Sequence, residues 1–124
     1  MRKPMDSTDK QAAVAFLTAY ASQMDDLMAL LSRGHSITQS DRATLTEMYR
    51  TLKNALKEDY KRLSRKESQG EASQAENAFL LPAVHQASTR LSPATNSNPF
   101  TSKWFGAVYS AKIDIDRFLD QLKK

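Results

Sequence analysis

The sequence predicts an all-α protein, an up-and-down bundle of four main helices in a single domain spanning residues 1–124. Three observations carry this. Large apolar residues recur at alternating four- and three-residue steps over four separate stretches, which is the period of one helix face. Breakers are scarce, with 3 glycines and 4 prolines in 124 residues, while Ala, Leu, Lys and Gln are plentiful. The strict apolar–polar alternation of a half-buried strand is missing throughout.

Residues 1–6 read as a loose start. Ser7, Thr8 or Asp9 can then cap a first helix by accepting hydrogen bonds from its free N–H groups. Its inner face is Ala13, Leu17, Tyr20, Met24, Leu27 and Leu31. Val14, Phe16, Met28 and Leu30 widen the apolar arc, as in a helix packed against two neighbours. Gly34 supplies a left-handed stop, and a short turn follows over residues 35–37.

Thr38, with Asp41 three residues on, opens a second helix that runs to about Gln69 and ends at Gly70. Its inner face is Leu45, Tyr49, Leu52, Leu56, Tyr60 and Leu63. A third helix begins at the S-x-x-E box formed by Ser73 and Glu76, with Leu80, Val84, Ala87 and Leu91 inward. Pro82 lies inside it without a backbone donor, so a kink or a restart is expected near Leu81.

Residues 92–100, SPATNSNPF, form a polar linker with no periodicity, and the fourth helix follows from a cap at Thr101 or Ser102. Its stripe is Trp104, Val108, Ala111, Ile115, Phe118 and Leu122. The only tryptophan heads that stripe, and an indole buries a large apolar area at once. The other three stripes need such a partner.

Several function classes lose support at this level. With no cysteine there is no disulfide, thiolate nucleophile or cysteine-held metal. Neither His35 nor His85 sits in a nucleophile motif such as G-x-S-x-G. The inward Glu-x-x-His pairs of a di-metal bundle are missing. Isolated glycines at 34, 70 and 106 cannot make a phosphate-cradling loop. The expectation is therefore a non-enzymatic protein that uses neither cofactor nor metal. Lacking an apolar run of about 20 residues and a signal-type start, it is expected to be cytoplasmic, with no membrane association.

Two surfaces are candidates for binding. The chain carries a net charge of +4, but Arg42–Lys66 holds eight basic residues against Glu47, Glu58 and Asp59, a balance of +5 that leaves the rest at −1. Within it, Arg50, Lys53, Lys57, Lys61 and Arg65 recur on one line, turned about 120° from the inner face at helical spacing. Such a row suits a phosphate backbone or an acidic protein partner. The absence of an aromatic ladder speaks against base stacking on single strands. The second candidate is Phe105, Tyr109 and Ile113, an i, i+4, i+8 row set off from the Trp104 stripe. One helix in a small bundle cannot easily bury both rows, so this one is expected between two neighbours or against another chain, a second copy included. The leading expectation is a helical interaction protein (an adaptor, inhibitor or small subunit of an assembly) that docks a protein partner through helix faces. The alternative is a nucleic-acid-binding helical subunit using the basic line, for example within a ribonucleoprotein complex.

Overall fold

A computed structural model describes residues 7–33, 38–91 and 102–123. It contains α1 (Ser7–Leu31), α2 (Gln39–Ser68), a π-helical turn (Glu76–Leu80) that leads directly into α3 (Leu81–Leu91), and α4 (Ser102–Lys123). The expected loose start at residues 1–6, the Gly34 stop, the 35–37 turn and the 92–100 linker lie outside the described residues.

Local chemistry accounts for the helix ends. Thr38 closes a complete capping box: its Oγ1 accepts from Asp41 N–H, and Asp41 Oδ2 accepts from Thr38 N–H. At the other end of α2, Gly70 adopts φ +72, its N–H reaches the Glu67 carbonyl at 3.0 Å, and the Glu71 N–H reaches the Lys66 carbonyl at 2.8 Å. That pair of bonds needs a left-handed residue at position 70, which glycine adopts without steric cost. The Ser73–Glu76 box also forms. The restart expected near Leu81 is the π-helical turn itself. The Leu81 N–H bonds the Glu76 carbonyl, one residue further back than in an α-helix. The hydrogen-bond ladder is thereby shifted just before Pro82, which has no N–H to give.

Side-chain pairs set the topology. Asp9 at the start of α1 accepts from Ser73 Oγ at 2.8 Å and from Ala75 N–H at 3.1 Å, so α1 and the entry to α3 begin at the same end. Lys66 near the end of α2 meets Glu76 there too, at 2.7 Å. At the opposite end, Tyr49 donates to the carbonyl of Leu91, the last residue of α3, at 2.7 Å. The Tyr49 ring stacks on Trp104, at the start of α4, with ring centroids 4.0 Å apart. The chain therefore runs up, down, up, down. The broadest contacts join α1 to α4, α4 to α3 and α3 to α2.

The four inner faces merge into one core. All six expected α1 residues are buried, as are Leu80, Val84, Ala87 and Leu91. Two expectations need correction. Tyr60 does not join the inner face of α2; it is 38% exposed and its ring lies against His85, centroids 5.2 Å apart. On α4 the deep position after Ile115 is Leu119, while Phe118 is half-buried at its edge. No helix among the described residues is long and apolar enough to cross a membrane.

Candidate functional site

α4 is held from both sides. Lys112 reaches Asp25 of α1 at 2.9 Å and Asp116 of its own helix at 3.5 Å. Across the helix, the carboxylate of Asp114, only 3% exposed, takes Arg90 Nε of α3 at 3.0 Å. With Trp104, Val108, Ala111, Ile115 and Leu122 buried, the outward arc of α4 is fixed in direction.

That arc carries Phe105, Tyr109 and Ile113, which are 38%, 52% and 40% exposed. Together with Tyr60 they are the exposed large hydrophobic residues among those described. The Phe105 and Tyr109 rings lie nearly parallel, 12° apart, with centroids separated by 6.3 Å. The row is thus a preformed apolar ridge. Of the two arrangements expected for it, burial between neighbouring helices is not what is found. Gly106 lies beside the ridge. Its φ is not left-handed, and a methyl group built on its α-carbon meets no atom within 4 Å. Neither turn geometry nor packing within the described chain asks for glycine there, although glycine costs a helix about 1 kcal/mol relative to alanine.

The basic residues of α2 divide in the structure, and the expected line of Arg50, Lys53, Lys57, Lys61 and Arg65 excludes the two that are most engaged with acids. Arg62 and Lys66 meet acids: Arg62 lies 3.5 Å from Asp59 and 3.8 Å from Glu76, and Lys66 lies 2.7 Å from Glu76. Burial works against charge on Glu76, but the Lys66 ammonium and Ser73 outweigh it and hold the carboxyl below its usual range. Asp59 also accepts the Tyr20 hydroxyl, which burial first and then this carboxylate push far above its ordinary pKa. The outward cations are held loosely or not at all. Arg50 and Lys61 each sit 3.9 Å from an exposed glutamate one turn away, Glu47 and Glu58. Lys57 and Arg65 have no ion-pair partner among the described residues. Lys53 is half-buried at the margin of the line.

No group of His, Asp and Glu among the described residues could hold a metal ion. A depression of about 720 Å³ along α1, beside Val14, Ala15, Thr18 and Ala19, is open and lined by one helix. Sequence periodicity located both candidate rows but missed the exposed Tyr60–His85 pair, the open position at Gly106 and the Asp9 and Asp114 anchors. Only Gly106 left a signal, as a helix-breaking residue inside a strongly periodic stretch. No protein-family model matches the chain, and neither a curated protein nor a solved structure matches it.

Proposed function

We propose that this is a non-enzymatic interaction protein that docks a protein partner through the outer face of α4. The observation that carries the reading is the Phe105–Tyr109–Ile113 ridge. Three large apolar side chains sit exposed on one rigid helix while Trp104, Val108, Ala111 and Ile115 of the same helix are buried. Aromatic anchors on a fixed scaffold lose little conformational entropy when they are covered, and they dominate interface energetics. Gly106 supports the same reading. Without a side chain at that position, a partner helix can bring its backbone close beside the ridge.

Immobilised protein exposed to native lysate tests this. A protein should be retained by the wild type in high salt after nuclease treatment, since apolar docking resists both. Tyr109→Lys should release it while the circular dichroism stays helical. Retention that is unchanged by Tyr109→Lys, or abolished by nuclease alone, would contradict the proposal.

A further inference from the structure

The outer face of α2 differs in chemistry from that of α4, being cationic where α4 is apolar. We infer that single-stranded nucleic acid lies along α2, its phosphates on Arg50, Lys57, Lys61 and Arg65 and a base stacked on Tyr60. The inference does not depend on the α4 reading.

Charge complementarity is the first support. These four cations fall within an arc of roughly 80° on a rigid helix and extend over about 22 Å of its length. Lys66 is held by Glu76 at 2.7 Å, and Arg62 lies between Asp59 and Glu76 at 3.5 and 3.8 Å, so these two cations are shared with acids of the fold. Lys57 and Arg65 have no ion-pair partner among the described residues. The Arg50–Glu47 and Lys61–Glu58 contacts, each 3.9 Å long and with all four side chains more than half exposed, are worth little and yield readily to phosphate. Between the cations the line carries Asn54 and Ser64, uncharged donors that do not repel a phosphate.

The second support is Tyr60, which the sequence places on the inner face and the structure exposes, supplying a stacking surface that the sequence pattern lacks. Turned out of the core, it stands one helical turn from Lys57 and from Ser64, at the margin of the line. With His85 of α3, exposed and 5.2 Å away at a 31° tilt, it makes an aromatic plate beside a cationic track. Proteins that hold single strands without sequence preference combine these two elements. A duplex keeps its bases stacked inside and would make no use of the plate.

A labelled uridine oligonucleotide of about twelve nucleotides is a suitable probe, compared with a duplex of equal charge over a salt series. The wild type should bind the single strand more tightly than the duplex. Its log affinity should fall with log salt at a slope near −3, about 0.7 per phosphate contact. Changing Lys57, Lys61 and Arg65 together to Gln keeps helix propensity nearly constant and should reduce that slope by about 2. Tyr60→Leu should weaken binding roughly five- to a hundredfold with the slope unchanged, and Tyr60→Phe should bind like the wild type. Circular dichroism of each variant confirms that the bundle is intact. No binding at low salt, equal binding by the triple variant, equal affinity for the duplex, or full affinity in Tyr60→Leu would each overturn the inference.

Discussion

An alanine at position 106 would make a better helix than the glycine found there. Because a methyl group has open space at that site, Gly106→Ala should raise the stability of the free protein by up to about 1 kcal/mol in urea unfolding, while weakening capture of the α4 partner. A loss of stability would mean that the glycine serves the isolated fold. Tyr49 makes the opposite case, a residue committed to the interior. Its hydroxyl serves the Leu91 carbonyl, and burial pushes its pKa up to about 12. The unfolded value is about 10. The folded state therefore favours the protonated phenol. That contribution is complete below about pH 10 and is lost as pH rises from about 10 towards 12. Tyr49→Phe should flatten this alkaline decline and cost about 1–3 kcal/mol at neutral pH, since the Leu91 carbonyl loses its donor. Urea unfolding of both proteins at stepped pH measures this, and an unchanged alkaline slope would contradict it. The Asp114–Arg90 pair should respond asymmetrically. Arg90→Ala strands a buried carboxylate, whereas Asp114→Asn leaves an arginine that is more than half exposed and already hydrated. The first should cost about 1–3 kcal/mol and the second less. Equal costs would show that the carboxylate is not the dependent partner.

The entry to α3 is held by hydrogen bonds drawn from elsewhere in the chain. Asp9 satisfies Ser73 and Ala75, and Glu76 binds Lys66. Asp9→Ala should destabilise the protein by about 0.5–2 kcal/mol, as the loss of a helix cap does, with faster amide exchange at Ala75 through Leu80 than at Leu52 or Leu56. Uniformly faster exchange would mean that Asp9 supports the whole bundle and is no local cap. None of this could be read from spacing, because 64 residues separate Asp9 from Ser73 and periodicity carries no information over that range. What spacing does carry came through. The α1 stripe is buried at all six positions, and the boxes at Thr38 and Ser73 close as their residue types require. The misses fall at stripe edges. After Ile115 the helical period of 3.6 places positions 118 and 119 on either side of the core line, so a neighbouring helix decides between Phe118 and Leu119. Tyr60 was misplaced for a related reason. It lies at the border of the α2 face, where its apolar ring suits an inward position and its hydroxyl an outward one.

At the scale of the molecule, the bundle presents two distinct surfaces: a cationic line with one aromatic plate on α2 and an apolar ridge on α4. Both rows were legible in the sequence, because exposed residues at helical spacing keep their pattern. Their accessibility was not, since it depends on which helices become neighbours. Trp104, 5% exposed and stacked on Tyr49, ties the start of α4 into the core beside the ridge. Trp104→Ala should cost about 3–5 kcal/mol, and a solvent-exposed emission maximum in the native protein would contradict its placement. The central claim, that α4 docks a protein partner, is tested most directly by photo-crosslinking from position 109 in native lysate. A photoreactive phenylalanine there should give a discrete, nuclease-resistant protein adduct, which the same probe at position 58, exposed on α2, should not give. The absence of an adduct from position 109, or the same adducts from both positions, would contradict it.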